Sequence, residues 1–262
     1  MKILNLVITS FNKPYYQYLF NAYKLYANVN DHVRTFFVMY DVDVFQQPKY
    51  KDMDYIYDDT EHIIIFKGEE NGCPSIYDKT CLAMKICQDV AKTDNKDAYD
   101  YVVRSNLSSI FIWDRLIEFL KDKPRTKYVG APICPINDED ALFPVYPSGC
   151  GMVMSADVAE LLSHSFYHPM KDSYADDCVI GHILHLHDIS IEQREAYHFD
   201  GTLHMDKIRN FRKQVADKIP VDVYHIRCRM GDDFYRLSTE KSVYILLLNH
   251  FYSNRYSYHI QS

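Results

Sequence analysis

The chain predicts an α/β fold, a doubly wound, mostly parallel sheet flanked by helices and built as one domain. Three observations carry this. Short apolar runs closed by polar turn residues recur through the first half. Segments with helical spacing separate them, the alternation expected of parallel strands joined by crossover helices. A length of 262 residues with 47% hydrophobic content suits one large α/β domain with a sizeable core.

The elements follow in order. Ile3 to Ile8 is an apolar run ended by Thr9-Ser10-Phe11-Asn12. Pro14 then opens a helical pattern to about Ala27, and proline suits a first helical turn because its missing N–H would find no partner there. Val33 to Met39 is a second strand, closed by Asp41-Val42-Asp43, and His62 to Phe66 a third, ended by Lys67-Gly68. Lys79 to Val90 places Leu82, Ile86 and Val90 on one helical face. Tyr99 to Val103 is a fourth strand ended by Arg104-Ser105-Asn106, and Trp113 to Leu120 a helix with Leu116, Phe119 and Leu120 inward. The second half is less regular. It holds a Pro-rich loop from Pro132 to Pro147, the glycine run Ser148-Gly149-Cys150-Gly151, and a core strand carrying Met152 and Met154. A helix near Asp157 to Leu162, a helix opening on Asp176-Asp177, a strand over Val223 to Arg229 and a final helix from about Thr239 to Tyr252 complete it. Ligands of such sheets lie outside the carboxyl ends of the strands. That singles out Thr9-Ser10, Asp41-Val42-Asp43, Lys67-Gly68 and Arg104 to Ser109.

Composition excludes several function classes. The net charge of −7, without a Lys/Arg stripe, argues against a nucleic-acid partner. Seven dispersed cysteines without a Cys-x-x-Cys form neither a zinc framework nor a disulfide scaffold, and they suggest a reducing compartment. No run is long enough for a membrane span, and the apolar run after Met1-Lys2 is too short for a signal peptide, so a cytoplasmic protein is expected. The 23 tyrosines fit contact with a partly polar ligand. They fit better the codon bias of an AT-rich genome, which the abundant Lys, Asn, Ile and Asp also suggest.

The most informative stretch is Tyr174-Ala175-Asp176-Asp177-Cys178-Val179-Ile180-Gly181. A carboxylate at a helix N-terminus is kept ionised by the dipole and aimed outward, which is how a general base is presented to a hydroxyl. The bland alternative is an N-cap at Asp176 followed by a first-turn charge at Asp177. Among the histidines, the spacing puts His182 and His185 on one helical face; with His187 they read as structural. Cys150 and Cys178 read as small buried hydrophobes. On the Val223–Arg229 strand, His225, Arg227 and Arg229 share a face.

Four segments in order resemble a GT-A-type glycosyltransferase, in particular the β1,3-galactosyl/N-acetylglucosaminyltransferase group and shorter virus-encoded relatives. Tyr77-Asp78-Lys79-Thr80 resembles the Lys-Thr that begins the helix before the family's metal strand. Tyr99 to Ser109 sits where the family has a strand running into Asp-x-Asp. Pro147 to Ser155 resembles its Gly-Gly-Gly-aromatic-x-Met-Ser acceptor loop, and Asp176 to Gly181 its Glu-Asp-Val-x-x-Gly, whose second acid is the catalytic base. The motifs span residues 77 to 181; the remainder fits by topology alone.

The resemblance implies a GT-A-like single domain over 1–262, with a nucleotide-sugar-binding half at 1–110 and an acceptor-binding and catalytic half at 111–262. It implies an inverting transfer of a sugar from a nucleotide-diphospho-sugar, with UDP the expected nucleotide, to a hydroxyl of a glycan, with Asp177 as base. Expected donor contacts are Thr9, Ser10, Asp41, Lys79, Arg104, Asn106, Ser108, His225 and Arg227; expected acceptor contacts are Gly149, Cys150, Gly151 and Asp176. One departure stands out, Asn106-Leu107-Ser108 in place of Asp-x-Asp. A divalent ion normally keeps a protein carboxylate, so Mn²⁺ or Mg²⁺ is expected to be weakly held, with basic residues offsetting the leaving diphosphate. Asp41-Val42-Asp43 is a decoy for this motif, and Asn137-Asp138-Glu139-Asp140 reads as a solvated loop. Two other readings compete. A degenerate, non-catalytic sugar-binding module is compatible with the missing Asp-x-Asp, though intact Asp177 argues against it. A nucleotidyltransferase would need a glycine-rich phosphate loop, and Thr9-Ser10-Phe11-Asn12 has no glycine.

Overall fold

The computed structural model describes residues 1–10, 14–27, 29–93, 98–136, 143–198, 219–229 and 240–256. Its centre is an eight-stranded sheet. In chain order the strands are β1 (Ile3–Ile8), β2 (Val33–Tyr40), β3 (Tyr55–Asp58), β4 (Ile63–Phe66), β5 (Tyr101–Asn106), β7 (Val129–Ala131), β10 (Gly151–Ser155) and β11 (Ile191–Gln193). Their spatial order is β11-β7-β10-β5-β1-β2-β4-β3. The pairs β4–β2, β2–β1, β1–β5 and β7–β11 are parallel, whereas β10 runs antiparallel to both β5 and β7, and β3 to β4. The doubly wound, mostly parallel sheet expected from the sequence is therefore what the chain forms.

Every residue of β1 is buried because helices cover both faces. Alternation sends Ile3 and Val7 into one core and Leu4, Leu6 and Ile8 into the other. The first core is closed by α1 (Pro14–Ala27), α3 (Trp113–Leu120) and α6 (Lys241–Tyr256), the second by α2 (Ser75–Thr93), α4 (Ala156–His164) and α5 (Asp176–Leu186). A smaller sheet of β6 (Ser109–Phe111), β12 (Tyr197–His198) and β13 (His225–Arg227) lies in the order β12-β13-β6. Its β6 is fixed by tyrosines of the first core. The hydroxyl of Tyr23 donates to the Ser109 carbonyl at 2.5 Å, and those of Tyr26 and Tyr252 both donate to that of Phe111 at 2.7 Å. Three of the 23 tyrosines thus serve to hold β6.

The structure extends or moves several expected elements. Strand β5 continues through Arg104, Ser105 and Asn106, where the apolar pattern had stopped. Ser105 Oγ donates to Asn5 Oδ1 at 3.0 Å and Asn5 Nδ2 to Thr35 Oγ1 at 3.2 Å, a buried polar ladder across β5, β1 and β2. Helix α2 starts at Ser75, so Lys79 lies in its second turn. Short strands β3 and β6 were not anticipated, and the Pro-rich loop contains a hairpin of β8 (Ile133–Pro135) and β9 (Val145–Pro147). Phe11, Asn12, Asn137 to Asp140 and Thr239 lie outside the described residues. No helix among the described residues is long and apolar enough to cross a membrane.

Candidate active site

A cavity opens at the carboxyl ends of β1 and β5. Its walls include Thr9, Ser10, Tyr16, Glu70, Lys79, Arg104, Asn106, Ser108, Arg227 and Arg229. Two polar atoms on this lining are buried without a hydrogen-bond partner among the described residues, Thr9 Oγ1 and Arg104 Nε. Such atoms are costly to leave unsatisfied, and both belong to residues that line the cavity.

Of the four cations on the lining, Lys79, Arg104 and Arg227 are the buried ones, and their partners differ. The Lys79 ammonium, 1% exposed, donates to both Glu70 oxygens at 2.6 and 2.7 Å and to the Thr9 carbonyl at 2.7 Å. Burial pulls its pKa down and Glu70 only partly restores it. The Arg104 guanidinium bonds the Gly149 carbonyl and pairs with the Asp176 carboxylate. Arg227 has neutral partners instead: its Nη1 donates to Asn106 Oδ1 at 2.5 Å and to Ser109 Oγ at 3.1 Å.

Gly149 joins this cluster to the acid helix. Its carbonyl accepts from Arg104 and from Asn106 Nδ2 (3.4 Å), and its N–H donates to Asp177 Oδ2 at 3.3 Å. A Cβ at Gly149 would stand 2.5 Å from Arg104 Nη1, which explains the glycine. The two acids of α5 then part company. Asp176 is buried, which raises its carboxyl pKa against the pull of Arg104, and it is spent on that guanidinium. Asp177 is half-buried in the first helical turn and held by two N–H donors, those of Gly149 and Cys178. The N-cap position belongs to Ala175, so neither acid is a simple cap.

No protein-family model matches the chain, and no curated protein matches it. Three solved structures similar to it are glycosyltransferases. One is involved in the glycosylation of the major capsid of PBCV-1, with 8% identity and a TM-score of 0.45 over 94% of this chain and 100% of that one. Another is the galactosyltransferase LgtC in complex with donor and acceptor sugar analogs, with 12% identity and a TM-score of 0.43 over 94% and 95%. A third is apo GlyE of Streptococcus pneumoniae TIGR4, with 11% identity and a TM-score of 0.42 over 95% of this chain and 63% of that one.

Of the expected donor residues, Thr9, Ser10, Lys79, Arg104, Asn106, Ser108 and Arg227 meet at the cavity. Others depart from expectation. Asp41 is not on the lining; its Oδ1 accepts the N–H groups of Asp43 and Val44 and so shapes a local turn. His225 cannot serve as a cation. Its ring stacks on Phe111 at 4.6 Å and is fully enclosed, so burial, then Arg227, drives its pKa down to about 3. Lys79 carries its charge into an ion pair with Glu70, so it adds little net positive field. Cys150, Gly151 and Asp176, expected to face the acceptor, are buried; a Cβ at Gly151 would meet the His225 ring at 2.5 Å. His182 bonds His168 at 3.2 Å, the structural role expected, while Cys178 is only half-buried. Sequence reasoning missed Glu70, although an acid in the turn after a parallel strand and nine residues before Lys79 was available as a signal.

The expected metal does not fit this donor set. Asn106 Oδ1 already accepts from Arg227 and from the Ser108 N–H at 3.1 Å, which uses both its lone pairs. A dication at that oxygen would sit roughly 5 Å from the Arg227 charge, a repulsion on the order of 7 kcal/mol at an effective dielectric of about 20. No cluster of three His, Cys, Asp or Glu suited to a metal occurs among the described residues.

Proposed function

We propose that this protein is an inverting glycosyltransferase that moves a sugar from a nucleotide-diphospho-sugar, UDP-linked by the resemblance, to a hydroxyl of a glycan acceptor. The observation that carries the reading is the arrangement around Gly149. One residue ties a half-exposed carboxylate, Asp177, to the guanidinium-lined cavity at the carboxyl end of β5. Asp177 takes the proton from the acceptor hydroxyl as that oxygen attacks the anomeric carbon, and the diphosphate leaves on the opposite side. Holding donor and acceptor in line supplies much of the rate, and cations near the leaving phosphates supply the rest. Thr9, Ser10 and Tyr16 lie where the nucleoside would rest, and the acceptor approaches from the α5 side. In this reading residues 1–262 work as a single domain, with 1–110 supplying most of the donor site and 111–262 the base. The seven cysteines are free thiols, which fits action in a reducing, cytoplasmic setting.

Asp177→Asn tests the reading. Transfer should fall by about 10²–10⁴-fold, the scale of a lost general base. Donor affinity by titration calorimetry should hold, because Asp177 makes none of the cavity wall. Wild-type turnover in Asp177→Asn would remove Asp177 from the mechanism. A degenerate sugar-binding module would bind nucleotide sugars without turning them over.

A further inference from the structure

We propose that Arg227, mounted on Asn106 and Ser109, is the group that grips the donor's diphosphate, and that Asn106-Leu107-Ser108 is the mount of this arginine and not a weakened metal site. The inference rests on the nucleotide-sugar reading above and goes further, replacing a divalent cation with a guanidinium.

The mount is built from both sequence halves. Arg227 pairs in register with Ser109 across β13 and β6, and the Cys228 N–H donates to the Ser108 carbonyl at 2.7 Å. The β13 segment is thereby stapled to the turn that ends β5. Arg227 is 9% exposed yet lines the cavity, and both of its hydrogen bonds use Nη1. Its Nε and Nη2 therefore remain as a two-pronged edge, the geometry that matches phosphate oxygens bidentately.

Charge separates Arg227 from its neighbours. Lys79 and Arg104 are each matched by a buried carboxylate. Arg227 rests on an amide and a hydroxyl, which orient it without cancelling it. Burial works against its charge, and Cys150 and the buried Glu240 act in its favour without hydrogen-bonding to it. Arg229, exposed, lines the same cavity. Two guanidiniums provide about the positive charge of one Mg²⁺, and an entering diphosphate would offset the burial of Arg227. The neutral side chain at 106 is then a requirement of the site, because a carboxylate there would quench the arginine.

Asn106→Asp separates the two meanings of this turn, since it is isosteric and moves them in opposite directions. The probes are inorganic pyrophosphate and UDP, titrated calorimetrically into the full chain in EDTA and then in Mn²⁺. We expect the wild type to bind both in EDTA. Asn106→Asp should weaken that binding roughly 10- to 100-fold, the loss of a charge-assisted contact, and Mn²⁺ should not restore it. Arg227→Lys, which keeps the charge and loses the fork, should weaken it less than Arg227→Ala. The proposal is overturned if wild-type binding requires Mn²⁺, if the wild type binds neither probe, if Asn106→Asp gains Mn²⁺-dependent affinity, or if the variants bind like the wild type. Arg227-dependent binding of both probes in a protein that transfers no sugar would uphold the inference and defeat the glycosyltransferase reading.

Discussion

Replacing Glu70 by Gln changes almost no volume but strands a buried ammonium. Lys79 is 1% exposed, and its three donors go to the two Glu70 oxygens and the Thr9 carbonyl. Glu70 Oε1 also accepts the Tyr40 N–H at 2.8 Å, so the ion pair ties the end of β2, through Glu70, and the end of β1, through Lys79, to α2. The amide of Gln can keep the Tyr40 bond and one Lys79 bond, and it loses the opposing charge. Breaking a buried pair from one side costs about 3–5 kcal/mol. At about 2–4 °C per kcal/mol for a chain of this size, the melting temperature should fall by roughly 6–20 °C. Lys79→Met should cost a similar amount, whereas the double variant should recover most of the loss, because replacing both charges removes the desolvation penalty. The pH dependence has a definite sign. Burial sets the native Lys79 pKa below the ordinary lysine value, so between the two the unfolded state binds more protons and stability rises with pH. Without Glu70 that window widens, and Glu70→Gln should regain stability toward pH 10 relative to the wild type. Thermal melts by circular dichroism from pH 7 to 10 measure both effects. A Glu70→Gln melt within about 2 °C of the wild type, or strictly additive single variants, would refute the argument.

Two other outcomes follow from the packing. His225 has a native pKa of about 3, below its unfolded value of about 6.5, so the wild type should lose stability as pH falls through 6.5 toward 3. His225→Phe should flatten that acid limb in urea unfolding at pH 7 and 4.5, and an unchanged limb would mean that the ring is not held neutral. At Gly181 a Cβ would stand 2.5 Å from Tyr146 Cβ and 2.9 Å from its Cα, so Gly181→Ala should cost about 1–3 kcal/mol of overpacking, outweighing the roughly 0.5–1 kcal/mol gained in helix propensity. Because α5 carries Asp177, transfer should drop more than donor affinity; a stabilised variant of full activity would contradict that close approach.

The order of strands and helices in the first half was legible because both faces of the sheet are covered. Strands buried on both sides read as apolar runs, and Ile3–Ile8 and Val33–Tyr40 were found nearly to the residue. The same rule failed at the fourth strand. Arg104, Ser105 and Asn106 look like a loop and are sheet, since each finds its partner on an element distant in sequence: Asp176, Asn5 and Arg227. The Asp176-Asp177 pair was legible as a motif at a helix start, yet its division of labour was not. Which acid is consumed depends on where Arg104 points.

By itself, then, the sequence determined the fold class, the end of the strands at which the cavity opens, and most residues that line it. Those properties follow from local periodicity and from strand ends, which a chain cannot conceal. Only the tertiary structure decided the charge state of the site. It matched Lys79 to Glu70 and Arg104 to Asp176, buried His225 in neutral form against Phe111, and left Arg227 on neutral oxygens. The physical reason is that electrostatics in a low-dielectric interior is set by neighbours within a few ångströms. For this cavity they come from positions separated by 9 to 121 residues.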